Sequence, residues 1–260
     1  MAAEGPKPGF LGNLNGNQEA KLQSLWSILL RAAESPSGEE PPRASVERSS
    51  SPNPQQRRHS LLGRTQSNLS DKSSATPSGQ QKVTAYLREI GMSAQEAKMI
   101  QSSLSQISSL ELRGGILNLL KHDNPDAMLL RFLRARKWDV PKAFAMMMAA
   151  IVWRVKEMHV DDDVMAKGEL HALQQERSAT IAAEKKAGQD FLAQMRMGKA
   201  FVHGTDKLGR PIVVIKVRLH KPGAQSEETL ERFIVHVIES VRLTLSPPVE
   251  TAVSTLRLYA

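Results

Sequence analysis

The sequence predicts an α/β protein in which a mainly helical region precedes a shorter region that contains strands and one long helix. Three observations lead to this prediction. Amphipathic helical patterns with capping residues run through 124–155, a β-branched run lies at 212–217, and another amphipathic helical pattern covers 226–245. The order of these patterns places a helical module in front of an α/β region.

Composition excludes several classes of protein. The chain of 260 residues has no cysteine, which excludes disulfide scaffolds, thiolate zinc sites, iron–sulfur clusters and cysteine nucleophiles. The longest apolar stretch, 143–153, is shorter than the ~20 residues of a membrane-spanning helix. The first residues lack the apolar segment of a secretory signal. We therefore expect a cytoplasmic protein.

The first predicted element is a short amphipathic helix at 17–33, which follows a tail at 1–16. Asn15 and Gln18 have the spacing of a capping box, and leucines follow at intervals of three and four residues. Residues 34–80 are rich in Ser and Pro and contain no Phe, Trp or Tyr. Because such a composition cannot build a core, it predicts a disordered linker.

Two serines of this linker, Ser60 and Ser67, each stand three residues after an arginine. One interpretation is phosphorylation by a basophilic kinase, which would add roughly −2 of charge at each site. The other is a solvated basic tract in a Ser-rich segment. The spacing alone leaves both open.

A helical module is predicted at 81–160. Its first part contains short helices or turns, with breaks at Gly91 and at Gly114-Gly115. Asn124 then predicts the start of a helix that ends near Trp138. Asp139 caps the next helix, whose predicted buried stripe contains Ala143, Phe144, Met147, Met148, Ile151 and Val155.

Positive charge is concentrated in this module. Residues 113–156 contain nine Lys or Arg against three Asp, a net charge of +6 out of +8 for the whole chain. This concentration indicates an anionic partner, which is nucleic-acid phosphate, a membrane surface or a phospholipid headgroup. Charge alone does not choose among them.

Connecting helices and loops are predicted at 161–196. The acidic run at 161–163 lacks the remaining ligands of a calcium loop, so we interpret it as a solvated loop and expect no metal. Two strands around a turn follow, the second being the β-branched run. Ser226 caps the last helix, whose predicted continuous apolar face contains Leu230, Phe233, Ile234, Val237, Ile238, Val241 and Leu245.

Two segments resemble a known family. Leu-Leu-Arg-Phe-Leu-Arg-Ala-Arg-Lys-Trp-Asp-Val at 129–140 closely resembles the hallmark of the helical module of the CRAL-TRIO lipid-transfer family. Gly-Thr-Asp-Lys-Leu-Gly-Arg-Pro-Ile at 204–212 resembles the opening of its α/β lipid-binding domain. The first helix and the long insert after it resemble the fungal phosphatidylinositol-transfer branch.

The resemblance implies a helical CRAL-TRIO N-terminal module followed by an incomplete α/β lipid-binding domain. Residues 197–252 match the first part of that domain, whereas 253–260 read as a divergent tail. We therefore expect a chain truncated within the lipid-binding domain, through a gene-structure error, a splice product or a naturally short form.

The resemblance also implies a function, namely binding of phosphatidylinositol or a related phospholipid and its transfer between membranes, impaired in the truncated chain. The expected partners are this lipid and a peripheral membrane surface, met transiently at internal membranes. In the family the arginine at the position of Arg136 reaches the lipid headgroup, so Arg136 and the adjacent Lys137 are the expected headgroup-binding residues. Arg131 and Arg134 are expected to be structural or exposed.

Neither catalysis nor a cofactor is expected. The sequence has no nucleophile-elbow, metalloprotease or P-loop pattern. The alternative function is a nucleic-acid-binding or nonfunctional interaction fragment that uses the basic module. Because the chain lacks a nucleic-acid-binding motif and has few aromatic residues for base stacking, we expect no nucleic-acid partner.

Overall fold

The structure is a computed structural model that describes residues 7–34, 79–89, 91–245 and 248–257. Most of the predicted linker lies outside the described residues, and so do Ser60 and Ser67. Disorder of the linker and phosphorylation of these serines therefore stay predictions.

The N-terminal module is helical, and its helices begin where the sequence places caps. Asn15 and Gln18 form the predicted capping box, and the side chains of Asn124 and Asp139 accept hydrogen bonds from the first turns of their helices. The helices of this module are α1 (Gly16–Ala33), α2 (Gly79–Glu89), α3 (Ala94–Ser105), α4 (Ser109–Leu120), α5 (Pro125–Ala135) and α6 (Val140–Val152).

One apolar core joins these helices. α1 packs against α2, α4, α5 and α6, and its Leu25 and Ile28 are fully buried. The predicted stripe of α6 is confirmed, since Ala143, Phe144, Met147, Met148 and Ile151 are fully buried and Val155 is partly buried against the same core.

The predicted break at Gly114-Gly115 is wrong, because α4 runs through both glycines. Ser108 and Glu111 form a capping box that starts the helix. Gly115 lies against Ile151 of α6, and a Cβ there would lie 2.6 Å from Ile151 Cγ2. Glycine at 115 therefore allows close helix packing and does not end the helix.

Two π-helical segments, Trp153–Glu157 and Val160–Met165, lead from the N-terminal module to α7 (Ala166–Ser178) and α8 (Ala182–Arg196) of the α/β region. The acidic run at 161–163 differs from the predicted solvated loop, since it lies in the second π-helical segment. Asp161 pairs with Arg154 and Lys121, and Asp163 pairs with Arg232 and Lys167. Nearby cations neutralise two of the three carboxylates.

The sheet has three strands in the order β1 (Ala200–Thr205), β2 (Pro211–Lys216) and β3 (Val253–Arg257). β1 and β2 are antiparallel, whereas β2 and β3 are parallel, with Ile212 opposite Val253 and Lys216 opposite Arg257. β3 covers the described part of the predicted divergent tail. Its Val-Ser-Thr-Leu-Arg sequence pairs with residues 212–216 of β2, so the sheet includes residues beyond 252.

Helix α9 (Glu227–Leu243) connects the parallel strands and starts at the predicted cap, Ser226. Its apolar residues do not form one buried face. Phe233 and Val241 are buried, whereas Ile234 and Ile238 are 46% and 54% exposed. The reason is that α9 is also buried on the side of His236 and Glu239, against α7 and the N-terminal module. The two isoleucines consequently face outwards.

Candidate functional site

The predicted headgroup residues lie in a tight turn between α5 and α6. The α5 helix ends at Ala135, three residues before the predicted end. The Trp138 N–H donates to Leu133 O at 2.7 Å, and the Lys137 N–H donates to Arg134 O at 3.2 Å. These two hydrogen bonds define a Schellman motif, which closes the end of a helix with one residue in the left-handed region.

Lys137 occupies the left-handed position of this motif, with φ 52°, and Trp138 also has a positive φ of 65°. Glycine is the usual residue at such a position, and a side chain there costs about 1–2 kcal/mol. The core offsets this cost, since Trp138 packs against it. The turn thereby places the side chains of Arg136 and Lys137 on the surface, where both are exposed.

The remaining cations of the basic stretch have partners. Seven of the nine Lys and Arg residues at 113–156 form a hydrogen bond or an ion pair; they are Arg113, Lys121, Arg131, Arg134, Lys142, Arg154 and Lys156. The side chains of Arg136 and Lys137 form none with any residue that the structure describes. Within this stretch, the charge available to an external anion is therefore concentrated at residues 136–138, the basic turn.

Arg131 and Arg134, which were expected to be structural or exposed, form ion pairs within the protein. Arg131 pairs with Asp123 through both terminal nitrogens, at 2.8 and 3.1 Å. Arg134 donates to Glu250 Oε2 at 2.6 Å, and its guanidinium lies 3.9 Å from the ring centroid of Phe10. Since Glu250 precedes β3, Arg134 connects the basic turn to the sheet region.

Lys137 also lines an open groove of about 530 Å³ with Lys21, Trp138 and Lys142. The groove contains carboxylates as well, and Asp139 binds Lys142 at 2.7 Å. The hydrogen bond and charge of Asp139 raise the pKa of Lys142. The ammonium group of Lys142 is thus paired with Asp139, whereas the side chain of Lys137 is exposed and unpaired within the described residues.

A buried ion-pair network joins α9 to the N-terminal module. Arg154 Nη1 and Nη2 donate to Glu239 Oε1 and Oε2 at 2.7 and 3.0 Å, and both residues are buried. Arg242 also pairs with Glu239 and donates to Leu119 O of α4. Burial by itself would raise the pKa of Glu239, but hydrogen bonds and charge from Arg154 and Arg242 lower it. The network connects α9 to the first π-helical segment and to α4.

Large apolar side chains of α9 and β3 are exposed. Ile234 and Ile238 of α9 are four residues apart and share one face of the helix. Leu256 of β3 is 61% exposed. No helix within the described ranges is long and apolar enough to cross a bilayer.

Comparison with known protein families identifies two domains. A profile of the CRAL/TRIO N-terminal domain matches residues 81–149, and a profile of the CRAL/TRIO domain matches residues 195–256. Together the two matches cover about half of the chain. The chain belongs to the CRAL-TRIO family. The CRAL-TRIO N-terminal match includes the basic turn, and the second match includes β1, β2, α9 and all but the last residue of β3.

Curated relatives of this CRAL-TRIO protein are fungal. A CRAL-TRIO domain-containing protein of Schizosaccharomyces pombe is 44% identical over 130 residues, which are 50% of this chain and 26% of that protein. Phosphatidylinositol transfer protein CSR1 of Eremothecium gossypii is 39% identical over 135 residues, 52% of this chain and 28% of that protein. A second S. pombe CRAL-TRIO domain-containing protein is 30% identical over 138 residues and is covered to 33%. The chain therefore spans a quarter to a third of these relatives.

Sequence reasoning pointed to Arg136 and Lys137 of this CRAL-TRIO protein but missed the long-range partners of other arginines in the basic stretch. Glu239 and Glu250 lie 85 and 116 residues from the arginines they bind. Glu239 did give a local signal, since it is an acidic residue between Ile238 and Val241 on a helix rich in apolar residues. An acidic residue in such a place predicts a buried cationic partner.

Proposed function

We propose that this CRAL-TRIO protein binds a phospholipid, with phosphatidylinositol as the preferred class, and transfers it between membranes. In this proposal Arg136 and Lys137 bind the headgroup phosphate. The exposed apolar residues of α9 and β3 contact acyl chains. The protein would meet internal membranes transiently from the cytoplasm, and its task is binding and transfer, not catalysis.

One observation carries the proposal: among the nine Lys and Arg side chains of the basic stretch, only those of Arg136 and Lys137 lack a hydrogen bond or ion pair with a described residue. A phosphodiester requires cationic donors that the protein has not already neutralised. Arginine supplies a planar pair of donors that matches phosphate oxygens, and lysine adds a compact charge.

The same observation disfavours nucleic-acid binding. A protein that follows a nucleic-acid backbone neutralises several phosphates with cations spread along a surface. Here the free cations of the stretch occupy a single turn. The name of the E. gossypii relative, a phosphatidylinositol transfer protein, supports a lipid as the anionic partner.

Liposome flotation with the full chain tests the headgroup assignment. Arg136→Gln removes the charge without changing the Schellman motif. We expect this variant to bind phosphatidylcholine vesicles that contain phosphatidylinositol roughly tenfold more weakly than wild type does. The reason is that a hydrogen bond to a charged group contributes about 1.5–3 kcal/mol. Lys98→Gln is the matched control, because Lys98 is an exposed lysine of α3 whose side chain forms no hydrogen bond or ion pair with a described residue. It should bind like wild type.

Transfer of labelled phosphatidylinositol between two vesicle populations provides the second readout, with labelled phosphatidylcholine as the comparison lipid. Selective loss of phosphatidylinositol transfer in Arg136→Gln supports the proposal. Equal binding by Arg136→Gln and Lys98→Gln contradicts the headgroup assignment. Arg136-dependent shifts of duplex DNA or RNA, without recovery on vesicles, would overturn the lipid function itself.

A further inference from the structure

A second group of hydrogen-bond donors with too few acceptors lies in the α/β region. Gln194 is in the last turn of α8, Lys199 directly precedes β1, and Gln225 precedes Ser226, the cap of α9. Lys199 Nζ donates to Gln194 Oε1 at 3.1 Å, and Gln225 Nε2 donates to the same oxygen at 3.3 Å. We call these three residues the donor cluster.

The donor cluster has more donors than acceptors. Gln194 is 1% exposed, and its Nε2 is buried without any hydrogen-bond partner among the described residues. Lys199 Nζ carries three N–H groups and has one acceptor, Gln194 Oε1. Lys199 Nζ and Gln225 Nε2 therefore donate to the same amide oxygen, which cannot accept from all the N–H groups of the cluster.

Lys199 is also unusual because it is a buried lysine without a carboxylate. It is 7% exposed, and no described Asp or Glu lies within ion-pair distance of its Nζ. Burial lowers the pKa of Lys199, with no opposing contribution from a nearby charge. Buried charged groups are normally paired, so this ammonium group lacks the anion that would stabilise it.

We propose that Lys199, Gln194 and Gln225 form a binding site for one phosphate group. A phosphate presents several acceptor oxygens and negative charge, which match an ammonium and two amide NH₂ groups. Gln225 precedes the N-terminus of α9, where backbone N–H groups and the positive end of the helix dipole add to the same preference. The carboxylates of Glu227 and Glu228 in the first turn of α9 repel an anion, so the ligand must bind by direct contact with the three side chains.

This site is separate from the basic turn and does not depend on the function proposed for it. Arg136 and Lys137 belong to the α5–α6 turn of the N-terminal module, whereas the donor cluster joins α8, β1 and α9. The phosphate could come from free phosphate or from the phosphodiester of a lipid headgroup. Both sources present the same oxygens to the three side chains.

Titration of the full chain at constant ionic strength tests the site, with the amide NMR signals of Lys199 and Gln225 as the readout. One arm uses inorganic phosphate, and the other uses glycerophosphoinositol, the soluble phosphodiester headgroup. We expect saturable shifts with one of these ligands. Lys199→Met should raise the dissociation constant at least tenfold, and it should still fold because an apolar side chain replaces a buried ammonium.

Two further variants keep the test decisive. Gln194→Glu places a carboxylate beside Lys199, so it should abolish phosphate binding by supplying an internal anion. Lys216→Met is the control, because Lys216 is the neighbour of Lys199 across the β-ladder but points its Nζ to the Phe201 ring, 5.2 Å from the centroid. It should leave the dissociation constant within about twofold.

Saturable binding that requires Lys199 supports the site, and the ligand that binds identifies the source of the phosphate. The proposal is overturned if neither ligand gives saturable shifts. It is also overturned if Lys199→Met or Gln194→Glu binds phosphate as tightly as Lys216→Met does.

Discussion

Substitution of two adjacent glycines in α4 by alanine should change stability in opposite directions. Gly114 and Gly115 occupy successive positions of one helix, so both substitutions gain the same helix propensity, about 1 kcal/mol. A Cβ at Gly114 meets no atom within 4 Å. Gly114→Ala should therefore stabilise the protein by about 0.5–1 kcal/mol.

At Gly115 the new methyl group enters the contact between α4 and α6. Its Cβ would lie 2.6 Å from Ile151 Cγ2 and 3.2 Å from Val155 Cγ2. Ile151 is fully buried, and a β-branched side chain in a helix has essentially one rotamer, so it cannot move aside. Overpacking of this kind costs about 1–3 kcal/mol. The two variants should differ by that amount, with Gly115→Ala the less stable.

Urea unfolding followed by circular dichroism at 222 nm measures the difference, provided that the slope m is the same for both variants. The comparison is internal, because helix propensity cancels between the two sites. Equal stability of the two variants would show that α4 does not pack on α6 at Gly115. A less stable Gly114→Ala would show that the helix does not continue through the pair.

Two further predictions concern charge. Arg154→Met leaves Glu239 buried with Arg242 as its remaining partner, so it should lower the free energy of unfolding by about 3 kcal/mol. In urea unfolding, the double variant Arg154→Met, Glu239→Leu should recover most of this loss. Equal losses in the single and the double variant would contradict a buried ion pair. The pKa of Glu239 is lower in the folded protein than the value of 4.5 for the unfolded chain. The ionised carboxylate therefore stabilises the fold above pH 4.5, and this contribution is lost as the pH falls through the folded-state pKa. Arg154→Met should consequently begin to lose stability at a higher pH than wild type does. Glu111 should titrate at a pKa of about 2, because it accepts hydrogen bonds from Lys156 and Ser108. In Lys156→Met, ¹³C NMR should show a higher pKa for Glu111. An unchanged pKa would exclude the hydrogen bond between Lys156 and Glu111.

The helix starts were predictable from sequence because capping is local. Asn124 and Ser226 each act within three residues, so the signal and its effect lie in the same short segment. The role of Gly115 was not predictable in this way. Whether a glycine ends a helix or allows a close contact depends on what lies opposite, and Ile151 is 36 positions later in the chain.

The candidate site shows the same division. The resemblance of the Arg-Ala-Arg-Lys segment to the family hallmark pointed to Arg136 and Lys137, whereas composition showed only a stretch with excess positive charge. Which cations remain free depends on long-range partners, such as Glu250 for Arg134. The outward position of Ile234 was also inaccessible, since helical periodicity gives relative directions of side chains but not the elements that cover each face.

The position of α1 has a consequence for the integrity of the chain. Its buried residues, Leu22, Leu25, Ile28, Leu29 and Ala32, complete the core of the N-terminal module, although the backbone between α1 and α2 runs through residues 34–78. In physical terms α1 is a peptide ligand whose covalent tether supplies effective concentration, while the contacts supply affinity. A polypeptide cut within 34–78 should therefore stay assembled as a two-piece complex. Two separately expressed pieces should reconstitute it, and co-elution in gel filtration that disappears on dilution would measure how tightly the first piece is held.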